Sequence, residues 1–498
     1  MGLATTLLAA PAAQAPAGAP RAPDQARAGT RAPNQPPDQI TPVPGHLLER
    51  LSCAADPSQS YALYIPSTYR SDRDWPIVYA LDAGGRAMVP AELLRPAAER
   101  YGYVVASSYN SASDGPLAPN LAAMKAMWND THGRLRIDDR RVYGAGFSGT
   151  VRSLCVLAKM APGTFAGILG AGAGFPAEQP PAKDVSFAFF GTAGNRDFNY
   201  DEMVLLDEKL TDLALPHRVE FFDGTHQWPP EALASRALAW MELQAIRSHR
   251  RSPQAAFVDA LWRQENERAA AAAAAGQLFD AWRSYAALAA DFAGLRGAGD
   301  LEAVARQATG LLAQPALAQE IQARRARVKR DEEYVARAQR IVGGALAAAD
   351  ADGSDPASQL PKALAELSIA DLKSKASGAP DLEERLSAQR KLSSVKVQTG
   401  FYLPGMFAGR KQYDRALFCL SIAAEIAPDD PYLWYQMASA QARRGNAKQA
   451  LKLLARAVDS GWRDRAQLES DPAFESLRRD ELYRKLVERL GALPTQPS

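Results

Sequence analysis

The chain has 498 residues, 47% of them hydrophobic and 23% charged; at roughly 150 residues per domain this is material for two to four globular domains, not for a chain disordered throughout. Lys and Arg number 58 against 56 Asp and Glu, a formal charge of +2, so no overall field points to nucleic acid or to an anionic membrane. Cys53, Cys155 and Cys419 have none of the paired spacings of a zinc site, and five histidines leave little for a metal centre, so no metal is expected.

Residues 1–45 differ from the rest. Residues 3–10 form a short apolar run, and Ala13-Gln14-Ala15 has the small residues of a cleavage site, but no basic residue precedes Arg21. The segment reads as the remnant of an export signal or as an unstructured Ala-rich start; the first favours a periplasmic or secreted protein over a cytoplasmic one. Prolines then recur among Ala, Gln, Asp and Arg as far as Pro44, the composition of an extended tail or linker. Its prolines bar a membrane-spanning helix, and no later stretch is apolar for long enough.

Residues 46–252 alternate between two periods. Short β-rich runs fall at 60–65, 75–81, 104–107, 142–145, 166–170, 186–191 and 219–222. Helical periods lie between them at 92–100, 120–131, 151–160, 200–213 and 231–246. Strands separated by helices predict an α/β domain, a mostly parallel sheet covered on both faces. After Ser252 the strand signal stops, and Ala269–Ala275 opens a region of helical periods running to Leu490.

Within that region Ala408, Tyr413, Ala416, Leu417 and Ala423 recur 34 residues later as Ala442, Ala447, Ala450, Leu451 and Ala457. Small residues at such points let paired helices approach closely, and stacked hairpins share one core. These residues resemble tetratricopeptide repeats. The resemblance implies degenerate helical repeats over 253–399, repeats proper over 400–498, and a closing helix after Asp471-Pro472-Ala473-Phe474. It also implies a surface for a protein partner or for substrate. Arg324-Arg325-Ala326-Arg327-Val328-Lys329-Arg330 reads as a solvated helix face, not a nucleic-acid site, because no aromatic residue interleaves it.

Three places in the α/β half carry chemistry. Tyr143-Gly144-Ala145-Gly146-Phe147-Ser148-Gly149-Thr150 joins a predicted strand to a predicted helix. As a dinucleotide fingerprint it would need an acidic residue roughly 20 positions on, yet no Asp or Glu occurs between Ser148 and Glu178. As a nucleophile elbow it would lift the Ser148 hydroxyl above the sheet, with the Gly149 N–H facing a developing oxyanion at a helix start. The usual last glycine of that elbow is Thr150 here, and a β-branched residue there is expected to crowd the following strand and slightly alter the elbow.

Asp197, in Gly191-Thr192-Ala193-Gly194-Asn195-Arg196-Asp197, follows the serine by 49 positions and a strand. It reads either as the carboxylate that orients a catalytic histidine or as the cap of the next helix, with Asp201 the nearest substitute. His226 lies in a loop a further 29 residues on, and the order Ser, Asp, His suits a general base there. His46, His132, His217 and His249 read as solvated. Trp228 either walls the substrate cleft or packs at a helix start. The loop Leu81-Asp82-Ala83-Gly84-Gly85-Arg86 is placed to give a second oxyanion donor, Gly85 or Arg86, while Asp82 bonds to a neighbouring loop.

At these residues the sequence resembles the α/β-hydrolase superfamily, and within it the extracellular esterases that include polyhydroxybutyrate depolymerases and feruloyl or acetylxylan esterases. The resemblance covers residues 60–246. It implies a Ser148–His226–Asp197 triad and hydrolysis of carboxylic esters through an acyl-enzyme, a serine hydrolase needing no cofactor. Residues 171–185 are too few for a large cap domain, so the cleft would admit bulky or polymeric acyl donors. Two alternatives stand beside this reading: a serine peptidase on the same fold, and a catalytically degenerate platform whose repeats hold a protein partner. Thr150 favours the second.

Overall fold

The structure, a computed structural model, describes residues 43–492; the expected export signal and most of the proline-rich segment lie outside them. The chain runs through β1 (Leu47–Ser52), β2 (Ser60–Tyr64), β3 (Trp75–Leu81), α1 (Met88–Tyr101), β4 (Val104–Ser108), α2 (Ala118–Arg134), β5 (Ile137–Phe147) and α3 (Gly149–Met160). It continues through β6 (Gly167–Ala171), β7 (Ala188–Gly194), α4 (Tyr200–Asp212), β8 (His217–Phe222) and α5 (Glu231–Arg247). The eight strands form one sheet in the order β1-β2-β4-β3-β5-β6-β7-β8. β2 pairs antiparallel with β1 and β4, and all the other pairs are parallel. This is the α/β-hydrolase arrangement, followed by an all-helical region.

Alternation along the strands divides the core. In β3, Ile77, Tyr79 and Leu81 face a layer with Met124 and Met127 of α2, Leu154 of α3 and Met203 of α4, whereas Val78 and Ala80 face Leu94 of α1 and Leu233 and Trp240 of α5. The sheet is therefore buried on both sides, as the unbroken apolar run Trp-Pro-Ile-Val-Tyr-Ala-Leu of β3 requires. β1 has no counterpart among the predicted strands. It is an edge strand without a β-branched residue, and only Leu51 of it is buried, so its pattern carries little signal.

Two compact units divide the described residues, meeting in sequence between Arg330 and Asp331. The division expected at residue 252 falls inside the first. Helices α6 (Ala255–Ala274), α7 (Leu278–Asp291) and α8 (Ala298–Leu312), with the beginning of α9 (Pro315–Asp352), belong with the sheet. The reason is a shared core. Leu243 and Ile246 of α5 pack against Val258, Leu261 and Trp262 of α6 and Leu288 and Phe292 beyond. Buried Arg218 on edge strand β8 binds Glu265 of α6 at 3.0 Å and Asp291 of α7 at 2.7 Å, so the edge is covered, not left open for pairing.

The second unit continues α9 and adds α10 (Leu360–Glu366), α11 (Ile369–Gly378), α12 (Leu382–Val397), α13 (Leu403–Gly409), α14 (Tyr413–Ile426), α15 (Pro431–Arg443), α16 (Ala447–Asp459), α17 (Arg465–Ser470) and α18 (Glu481–Ala492). Ala416 and Ala423 of α14 and Ala450 and Ala457 of α16 are all buried. Phe474, Tyr483, Leu486 and Leu490 pack with Leu454 and Ala457 of α16. All three cysteines are buried free thiols, and burial, then the nearby Asp130 charge, pushes Cys53 up to about 12. Among the described residues no helix is long and apolar enough to cross a membrane.

Candidate active site

In the sheet β3 lies between β4 and β5, so the connections leaving β3 and β5 diverge at the C-terminal edge. Open parallel sheets bind ligands at such switch points. Ser148 follows β5 there, with φ 57° and ψ −133°, a strained conformation for a residue with a Cβ, costing about 1–3 kcal/mol. Its N–H donates to the Ala171 carbonyl at 2.8 Å, and its own carbonyl accepts from Val151 at 3.0 Å. The turn is tight enough that a Cβ on Gly146 would stand 2.9 Å from the Val151 nitrogen.

Thr150 does not crowd this turn. It is fully buried; its hydroxyl donates to the Leu81 carbonyl at 2.6 Å and accepts from the Phe147 N–H at 3.0 Å. The hydroxyl thus ties the elbow to the end of β3, a contact that a glycine at this position would lack.

The structure brings Ser148, His226 and Asp197 together. Ser148 Oγ lies 2.9 Å from His226 Nε2, and His226 Nδ1 lies 2.8 and 3.0 Å from the two carboxylate oxygens of Asp197. Asp197 is fully buried, whereas the His226 side chain is 17% exposed. Asp197 does not cap α4, whose N-cap is Asn199; its Oδ1 instead accepts from the Asn199 N–H at 2.8 Å in the turn before the helix. Asp201 stands in the first turn of that helix. Asn199 in turn donates from Nδ2 to the Gly172 carbonyl at 2.7 Å.

The loop after β3 differs from the expectation. Asp82 is fully buried and gathers the loop around itself: the N–H groups of Gly84 and Arg86 and the Arg86 guanidinium all donate to its carboxylate, at 2.8–3.3 Å. Gly85 donates to the Asp82 carbonyl at 3.1 Å. The N–H groups of Gly85 and Arg86, foreseen as oxyanion donors, are therefore spent inside the loop. Trp228, read either as a wall of the cleft or as packing at a helix start, is buried; its indole N–H donates to Asp82 Oδ2 at 2.9 Å and its ring packs 5.9 Å from that of Phe147. It joins the loop after β3 to the loop carrying His226. Burial by itself would raise the Asp82 carboxyl, but the hydrogen bonds from Arg86, Trp228 and Gly84 outweigh it and hold the group below its ordinary range.

Sequence reading missed Gly172, Phe198 and Asn199. Gly172 has φ +67°, and a Cβ on it would stand 2.9 Å from His226 Cε1 and 3.1 Å from Asp197 Oδ2. The only trace of this is the small-residue run Ala171-Gly172-Ala173-Gly174 after β6. His132 and His217, read as solvated, are structural ties: His132 stacks on Trp128 at 4.2 Å and bonds Asp139, and His217 meets Asp207 and Thr211. Among the described residues no three His, Cys, Asp or Glu side chains are grouped to hold a metal ion.

No family model matches the sequence, and no curated protein matches it. Among solved structures the chain is similar to S-formylglutathione hydrolase of Staphylococcus aureus, at 14% identity over 41% of this chain and 99% of that one, TM-score 0.32. It is similar to a ferulic acid esterase at 13% identity over 40% and 98%, TM-score 0.33, and to Est1E from Butyrivibrio proteoclasticus at 13% over 38% and 95%, TM-score 0.30.

Proposed function

We propose that the protein is a serine hydrolase that cleaves carboxylic esters through an acyl-enzyme. The observation that carries this reading is the unbroken path from Ser148 Oγ through His226 to buried Asp197 at the switch point of the sheet. In this mechanism His226 Nε2 takes the Ser148 proton as the hydroxyl attacks the ester carbonyl, and Asp197 holds the imidazole by Nδ1 and stabilises the imidazolium. The Gly149 N–H, at the start of α3, faces the oxyanion. The second donor is the Ala83 N–H, which takes no part in the bonds that Gly84, Gly85 and Arg86 make to Asp82; it replaces Gly85 and Arg86. His226 then protonates the leaving alcohol, and water repeats the sequence on the acyl group. The helical residues 331–492 serve to bind a partner or substrate.

Thr150, the residue that spoke for a degenerate site, is bonded into the elbow, which favours a working one. Hydrolysis of p-nitrophenyl acetate and butyrate tests the reading. Wild type is expected to turn over, with kcat/KM falling by at least about a thousandfold in Ser148→Ala. A folded wild type no faster than buffer, or a Ser148→Ala variant as fast as wild type, would refute it.

A further inference from the structure

On the hydrolase reading, we propose that Phe198 is a positioning residue for His226, holding the imidazole against Ser148 and favouring its charged form during the reaction. The two ring nitrogens of His226 are fixed by Asp197 and Ser148, but in-plane hydrogen bonds resist tilting of a ring only weakly. What resists tilting is contact with the ring itself. The Phe198 ring centroid lies 4.2 Å from that of His226 at 37°, and the Phe147 centroid 4.7 Å away at 39°. The Gly172 backbone closes the Cε1 edge.

Phe198 is itself held on both sides in sequence. The Asp197 N–H donates to the Gly194 carbonyl at 3.1 Å, and Asn199 is bonded through its N–H to Asp197 and through its side chain to Gly172. The backbone that carries the half-buried phenyl ring is therefore fixed by the same segment that supplies the carboxylate. When Nε2 takes the Ser148 proton the ring becomes an imidazolium, and an aromatic ring within about 6 Å attracts a cation through its quadrupole. That attraction is absent for the neutral ring, so it acts on the transition state and not on the bound substrate. An aliphatic side chain of similar size cannot supply it.

The test compares Phe198→Leu and Phe198→Tyr with wild type on a p-nitrophenyl ester, and follows the histidine Cε1–H resonances in protein carrying 13C-labelled histidine. With five histidines in the chain, the His226 signal is assigned by its disappearance in His226→Ala. Phe198→Leu is expected to lose roughly 3- to 30-fold in kcat with KM little changed, Phe198→Tyr to recover most of it, and the His226 resonance to move when the ring is removed. Wild-type kcat in Phe198→Leu, a loss appearing in KM instead, or a resonance that does not move would overturn the proposal. An inactive wild type whose His226 resonance does respond to Phe198→Leu would refute the hydrolase reading and leave the ring contact standing.

Discussion

Gly172 carries two constraints at once, a positive φ and the imidazole 2.9 Å from where its Cβ would be. Gly172→Ala is expected to cost about 1–3 kcal/mol of stability and, by displacing His226, to lower kcat/KM by on the order of a hundredfold; wild-type ester turnover in that variant would show the imidazole free to shift. Thr150 gives a prediction of opposite character. Thr150→Val removes a hydroxyl that serves both the Phe147 N–H and the Leu81 carbonyl and leaves two buried polar groups unpaired. Urea unfolding should show a loss of about 1–3 kcal/mol, with Thr150→Ser close to wild type. At this scale the sequence is legible where chemistry imposes an order: Ser148, Asp197 and His226 stand out because each follows a strand end and their succession suits one reaction. Gly172, Phe198 and Asn199 are illegible because their roles come from what approaches them through space. Gly85 and Arg86 misled because a loop's N–H groups can be drawn inward, here onto Asp82, and no residue type shows which way they point.

Between elements, the cover of β8 is held by charge as well as by apolar contact. Burial raises Glu220, but Arg236, Arg268 and Arg218 outweigh it and bring its carboxyl down to about 2; Glu265 is lowered in the same way, and Asp82, in the loop after β3, is lowered by its hydrogen bonds. A carboxyl depressed in the folded state leaves the unfolded chain binding more protons. Its stabilisation is therefore complete at neutral pH and fades as pH falls from about 5 toward the folded value. The melting temperature should drop through that window, and the gap between wild type and Glu220→Gln should narrow from pH 7 to pH 4; a constant gap would show that Glu220 adds nothing through its charge. The strand–helix succession of residues 60–246 could be read from short apolar runs set between helical periods, because the inner strands are buried on both faces. β1 could not, since an exposed edge strand has no period to offer, and neither could the docking of α6 and α7 on β8, which depends on Arg218 finding Glu265 and Asp291 across the chain.

For the whole molecule, the shared core of α5 to α8 predicts where the chain can be cut. Residues 43–330 should remain folded and keep the ester activity, whereas residues 43–252 lose Trp262, Leu288 and Phe292 from α5 and both carboxylates from Arg218. The shorter piece should melt several degrees lower or aggregate, and an equally stable 43–252 would show the helices to be independent of the sheet. The central claim, that Ser148 is a nucleophile activated by His226, is tested most directly with a fluorophosphonate probe and mass spectrometry of the digested protein. A single covalent adduct on the peptide containing Ser148, formed by wild type and absent from Ser148→Ala and His226→Ala, is the predicted result. An unmodified Ser148 in folded wild type, or an adduct that survives in His226→Ala at the wild-type rate, would contradict it.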